Sequence, residues 1–403
     1  MKKTVAAVAA VAVLGAFAGS ALAADVTLYG VVDAGLVYTH LDQDVQGVDA
    51  TDKFEMKSGN QAGSRWGLKG VENLGNGVQV GFILESGFNV DDGSFRTADT
   101  LFDREASLFV QGSFGKVAFG KLGSIVQGAS SWGKVGSVSA FGTSFGNYAA
   151  QAGAIFATST VYDNMIAYST PSFGGVTVYA QYSMGKSQSQ SWDADNAKWK
   201  PTMVENESST DRYYAIGAEY ANGPAKLFFA VDSTNYASWT PVSGGTSATN
   251  KPVYGGKDTD DSLTVTLGGN YDFNVAKLYA GVQYFDEVAG KWIGASANKP
   301  GKVKGWAATV SASAPVAGGN AMLGVGYTDA SAADSVTDNG NSARDFDLSR
   351  WVVSAGYTYN LSKRTNLYGV ASYMQDKLEP SAAGAEDVKP TATTVMVGLR
   401  HRF

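Results

Sequence analysis

The chain has no cysteine and only two histidines, His40 and His401. Disulfide bridges and a thiol nucleophile are therefore excluded. A Ser-His-Asp site would have to use His40, because His401 sits in the final strand near the chain's end. No glycine-rich phosphate loop follows a strand and opens a helix, so neither a nucleotide nor any other cofactor is expected, and the chain does not read as an enzyme. Proline is scarce at nine residues, and charged residues make up only 17 %. Acids exceed bases by 37 to 31, which argues against nucleic acid as a partner. Beyond the leader there is also no long apolar run, since glycine, serine, threonine or a charge interrupts each one within a few residues. A spanning helix needs about 20 apolar residues. Lipid admits only helices and closed barrels, so any crossing by this chain has to be made with strands.

What is abundant is glycine at 49, tyrosine at 20 and phenylalanine at 19. Such a chain is too aromatic to be disordered. Mean hydropathy is nevertheless close to zero at -0.10. Strands that turn apolar residues to lipid and polar ones to water average out in this way. At the N-terminus, Met1-Lys2-Lys3 is a charged region, Val5 to Gly19 an apolar stretch, and Ala21-Leu22-Ala23 a small-x-small cleavage site. Residues 1–23 are thus expected to be a signal peptide cleaved between Ala23 and Ala24, leaving 24–403 as one domain.

The last residues, TATTVMVGLRHRF, put Val395, Val397, Leu399 and Phe403 on one strand face and Met396, Arg400 and Arg402 on the other. The first strand, read over Val26 to Tyr38, sets Val26, Leu28 and Leu36 against Thr27, Asp33 and Thr39. Short turns recur at 73–77, 113–116, 171–175, 222–224, 272–274, 317–320 and 360–363. Long polar stretches fall near 39–62, 89–102, 123–163, 185–211, 235–261, 287–304, 330–349 and 376–391. Connections in soluble domains are usually about 4–6 residues long, so strict alternation of long and short is the discriminating pattern. It predicts an all-β, transmembrane antiparallel barrel of about 16 strands, with both termini on the short-turn, periplasmic side. A barrel of that size leaves an aqueous bore.

DVTLYGVVDAGLVY, GSRWGLKGVENLGNGVQVGFILESGFNVDDG, LFDREASLFVQGSFGKVAFGKLGS, YSTPSFGGVTVYAQY and the terminal VGLRHRF, in this order, resemble the general diffusion porins of Gram-negative outer membranes, in the β-proteobacterial branch. The resemblance implies a homotrimer and passive diffusion of small hydrophilic solutes. It also implies a third long loop folded into each pore, and a terminal Phe403 read by the barrel-insertion machinery. In similar porins a basic wall faces acids on the inward loop. Arg65 and Lys69 share a face opposite Trp66 and Leu68 and are the best wall candidates. Arg104 and Lys121 match basic positions of the family pattern, although the local alternation does not fix their facing.

The inward loop departs from that pattern. Leu122 through Tyr162 contains no Asp or Glu, and Lys134 is its only charge. Trp132, Phe141, Phe145, Tyr148 and Phe156 stand among small residues there. The constriction is therefore expected to be lined by aromatics and hydroxyls facing a basic wall, giving anion preference, with Asp163 just beyond the loop as one compensating carboxylate. For the rings themselves, packing against the barrel wall is the favoured reading over a slide for apolar or sugar-like solutes. Outer-loop acids such as Asp42, Asp91, Asp258 and Asp334 are suited to divalent-cation bridges to lipopolysaccharide, but the DTDD run at 258–261 lacks the glycine and distal glutamate of a calcium loop, so no metal site is expected. A substrate-specific channel and a barrel-anchored surface adhesin remain as alternative functions.

Overall fold

The computed structural model describes residues 25–403 apart from 129, 187–189, 194–197, 202–204, 207–209, 238, 247–251, 257–259, 294–300, 335–344 and 382–383. The expected leader and its cleavage site at Ala23 and Ala24 lie outside the described residues, as do Asp258 and Asp338. The strands are β1 (Asp25–Asp42), β2 (Thr51–Ser58), β3 (Arg65–Gly75), β4 (Val78–Gly87), β5 (Glu105–Gly112), β6 (Gly115–Gly123), β7 (Val161–Ser169) and β8 (Val176–Ser183). They continue as β9 (Gln190–Asp193), β10 (Lys198–Pro201), β11 (Arg212–Asn222), β12 (Ala225–Asn235), β13 (Trp239–Thr246), β14 (Pro252–Gly256) and β15 (Ser262–Asp272). The last are β16 (Lys277–Ala289), β17 (Lys302–Val316), β18 (Gly319–Ala332), β19 (Phe346–Asn360), β20 (Thr365–Pro380) and β21 (Thr391–Arg402).

All barrel pairings are antiparallel, and β1 closes the sheet on β21 in register from Val31↔Arg402 to Asp42↔Thr391. Both β2 and β3 pair with β1, the first along Ala34–Leu41 and the second along Asp25–Val31. They are two halves of one stave, interrupted at 59–64, and the result is a closed 16-stranded barrel. The expected first long loop, 39–62, is therefore half strand, at 39–42 and 51–58. Asp33 compensates the break: its carboxylate accepts the Gln61 and Ala62 N–H groups at 2.8 and 2.6 Å and the Tyr368 hydroxyl at 2.7 Å. Two further stretches read as loops contain hairpins outside the barrel sheet, β9 with β10 and β13 with β14. At the other end the turns are tight. Asn76 and Gly77, with φ of 50° and 75°, make the two-residue connection of β3 to β4, for which Asn-Gly is suited because both positions need positive φ.

The outward faces carry Leu227, Phe229, Leu267, Leu278, Val282, Leu323, Val325, Val353, Val395 and Val397, all exposed. Aromatic rings edge this apolar band, Trp306 against Tyr327 and Trp351 against Tyr373 toward the long-loop end, Tyr271 against Phe273 toward the short-turn end. Such belts sit at the headgroup levels of a bilayer. The inward parity is polar: Thr264, Thr266, Thr309, Ser311, Ser354, Ser372 and Thr394 are buried inside. No helix among the described residues is long and apolar enough to cross a membrane.

Candidate pore constriction

Between β6 and β7 the chain enters the barrel and follows its inner wall. Its backbone amides dock on polar side chains of strands far away in sequence. Ile125 donates to Gln181 Oε1 at 2.8 Å, Ala140 to Ser311 Oγ at 2.8 Å, Ala150 to Ser354 Oγ at 2.8 Å and Ala157 to Gln283 Oε1 at 2.7 Å. Asn270 Nδ2 donates to the Ser137 carbonyl at 2.8 Å. The loop has two short helical turns, η1 (Val135–Val138) and α1 (Ala152–Ile155). Buried polar backbone must find partners, and here the barrel wall supplies them.

Glycines on that wall make room for the loop's apolar side chains. A Cβ at Gly268 would stand 2.7 Å from Val138, at Gly281 3.1 Å from the Phe156 ring, and at Gly324 or Gly356 3.0 and 3.1 Å from the Phe141 ring. Trp132, Phe141, Phe145 and Phe156 are each at most 4 % exposed. Phe145 meets Tyr368 edge-on at 5.9 Å and Trp132 meets Tyr179 at 6.5 Å. Of the two readings of these rings, the packing one describes what is seen, for they seat the loop on the wall. Tyr148 alone is half-buried, at a cleft also lined by Asn147, Gln151 and Trp292.

Charged side chains stand on the inward parity of the wall strands and at the loop. Arg65 and Lys69 point inward on β3. Lys69 lies over the Tyr29 ring at 5.3 Å, and Arg65 Nε is 3.4 Å from Glu85. Glu85 also accepts from Arg104 Nε at 2.7 Å and from the Tyr29 hydroxyl at 3.1 Å. Arg65 lies within Coulombic range of Arg104 and Arg402, and Arg400 of Arg65, so an arginine arc continues onto β21. Three lysines extend the basic surface. Lys116 sits over the Phe109 and Trp132 rings at 4.0 and 5.3 Å. Lys134 of the loop and Lys226 of β12 flank Glu219 at 3.9 and 3.1 Å.

Lys121 does not join them. Gly120 and Leu122 pair with Met165 and Tyr162, so Lys121 lies opposite a bulge of β7 at Asp163 and Asn164, on the outward parity it shares with exposed Phe119. Its ammonium pairs with Asp163 there, and that carboxylate is likewise removed from the constriction. Sequence reasoning missed Lys116, Lys226 and Glu219. Lys116 was read as part of a tight turn, although its alternation with inward Ala118 was a usable signal. Glu105 is buried and held by Ser107 at 2.8 Å and by Ser131 of the loop at 2.9 Å.

A second group ties the loop to the opposite wall. Arg350 donates Nε and Nη2 to the two oxygens of Asp376 at 2.7 and 2.8 Å, and Nη1 to the Ala154 carbonyl at 2.9 Å. Lys291, beyond β16, donates to the Gly153 and Phe156 carbonyls. Among the described residues no group of histidine, cysteine and acid side chains is arranged to hold a metal ion.

The family profile for Gram-negative porins matches residues 7–378. An outer membrane porin protein of Bordetella pertussis is 36% identical over the whole of both chains. Outer membrane porin protein 32 of Delftia acidovorans is 29% identical over 98% of each. Among solved structures, an anion-selective porin from Comamonas acidovorans superposes with a TM-score of 0.62 at 26% identity, covering 94% of this chain and all of its own.

Proposed function

The chain belongs to the Gram-negative porin family, and from that premise we propose that its channel prefers anions and works as a homotrimer. It is an outer-membrane porin of a Gram-negative bacterium, a barrel for passive diffusion of small hydrophilic solutes. Its relatives are channels rather than enzymes, and no catalytic role is proposed for this one.

The observation that carries anion preference is the imbalance across the bore. The inward loop brings no carboxylate between Leu122 and Tyr162, only Lys134. On the wall, Lys69, Lys116, Arg400 and Arg402 have no carboxylate within salt-bridge distance among the described residues. Charges in a narrow low-dielectric throat concentrate counterions of opposite sign. The net negative charge of the chain does not decide this, because exposed acids such as Asp329, Asp347 and Glu379 stand on the outward face near the long-loop end. That position, next to the Trp306 and Trp351 belt, suits cation-bridged contact with lipopolysaccharide. The printed description of the Comamonas acidovorans structure, anion-selective, supports the same reading.

For the trimer, the support is the outward face of β1 and β2, where Leu36, Tyr38, Phe54 and Met56 are exposed beside a shallow apolar depression formed with Gly35, Gly398 and Leu399. A single barrel leaves this surface to lipid, and copies of the chain would cover it. Phe403, outward at the end of the closing strand, is proposed as the residue read by the insertion machinery. Swelling of proteoliposomes in gluconate against an equally sized amino-sugar cation tests the selectivity. Faster entry of gluconate is expected, and faster entry of the cation overturns the proposal.

A further inference from the structure

The distal half of the inward loop is held by a residue from another loop. Lys291 follows β16 by two positions, and its ammonium reaches the Gly153 and Phe156 carbonyls at the end of α1. The next residues are anchored too, because Ile293 is buried and its N–H donates to Asp376 Oδ2 at 2.8 Å. Asp376 binds Arg350, and Arg350 binds Ala154. Two cations from separate elements thus occupy successive carbonyls of one short turn, satisfying groups that a helix end leaves without partners. A cleft of about 330 Å³ beside them, lined by Tyr148, Gln151, Lys291 and Trp292, gives α1 space to move if released.

We infer that Lys291 is a positioning residue for the constriction: the residues directly after β16, Gly290 to Ile293, form a latch that fixes α1 against the wall, setting the bore and the steadiness of its current. Arg350 alone contacts one carbonyl and leaves Gly153 and Phe156 free. The latch has a titration of its own. Burial, and then the Arg350 cation, push the Lys291 amine down to about 7. A released, solvated lysine titrates near about 10.4. The latched form therefore holds its proton less firmly, and raising the pH between those values favours latching, while below about 7 pH has no further effect on it. A neutral amine keeps two N–H donors, enough for both carbonyls. The other ionisable groups facing this point are Arg350, Asp376, Tyr148 and Glu287. Arg350 and Asp376 hold each other in a two-oxygen pair, and burial raises the Tyr148 phenol. Glu287, near the end of β16, pairs with Lys302 at 3.2 Å.

Single-channel recordings of the full-length protein in planar bilayers test this at pH 7 and pH 10. Open-channel current noise of the unaltered protein should fall as the pH rises. In Lys291→Met the noise should be at least about threefold higher at pH 7 and should lose its pH dependence. Lys291→Arg keeps donors and charge, so it should be quieter than Lys291→Met and equally indifferent to pH. A Lys291→Met channel as quiet as the unaltered one overturns the inference. So does a pH profile that survives in either variant. Should Lys291→Met fail to insert, the profile of Lys291→Arg decides alone.

Discussion

Glu85 and Arg104 are bonded at 2.7 Å across the gap between β4 and the start of β5, while Arg65 approaches the same carboxylate from β3 at 3.4 Å. One acid thus moderates two guanidinium groups at the wall. Both Glu85 and Arg104 are nearly buried, and removing one partner of such a pair costs about 3 kcal/mol. Glu85→Gln should therefore lower the heat-unfolding midpoint in detergent and strengthen anion preference at the same time. A variant that becomes more cation-preferring would show that the arginines do not face the permeation path.

Glu219 between Lys134 and Lys226 gives a pair of variants with opposite signs. One charge about 6 Å from a permeating ion in water is worth about 0.7 kcal/mol, a factor of about three before salt screening. Lys226→Gln should reduce the chloride-to-potassium permeability ratio by about threefold or less, and Glu219→Gln should raise it comparably. Zero-current potentials across a potassium chloride gradient read both. Shifts of the same sign would contradict the assignment.

The seats under the loop predict which glycines resist substitution. A side chain at Gly324 meets the Phe141 ring, whereas a Cβ at Gly369 has nothing closer than 3.8 Å. Gly324→Leu should dislodge the loop and change single-channel conductance, with overpacking costing about 1–3 kcal/mol. Gly369→Ala should conduct normally. Equal conductance in both would mean that the loop is not held by this wall.

The barrel was legible in the sequence because its outer and inner surfaces alternate residue by residue and its loops alternate long and short. Arg65 and Lys69 were legible for the same reason, as Trp66 and Leu68 hold the opposite parity. Lys121 was proposed from the family pattern alone, and its facing follows the parity of exposed Phe119 in the unbroken register of β6 with β5. Packing of Phe141 and Phe156 on the wall was legible from their residue type, but not the glycines that receive them, which lie on strands more than a hundred residues away. The break in the second stave was missed because β2 and β3 are separated by a polar segment whose partner, Asp33, precedes both.

Acid should loosen one outer clasp. Asp103 buries its carboxylate, yet the Gly87 N–H at 2.7 Å, Arg96 at 2.7 Å and Thr97 at 2.9 Å hold it below the usual aspartate range. A depressed carboxylate contributes stability above its unfolded value of about 3.9 and loses it as pH falls through the lower folded value. Hydrogen exchange over residues 88–104 should stay slow at pH 5 and quicken at lower pH. In Asp103→Asn it should already be fast at pH 5. A clasp equally protected in both proteins at pH 5 would contradict this.

The central claim is a wet bore whose narrowest part is basic because the inward loop carries no acid. The zero-current potential of the purified, reconstituted protein in a tenfold potassium chloride gradient tests it most directly. The account predicts stepwise channel insertion and a potential of the sign set by chloride, growing as ionic strength is lowered at fixed gradient. A potential of the sign set by potassium, or a protein that inserts without conducting, would contradict it.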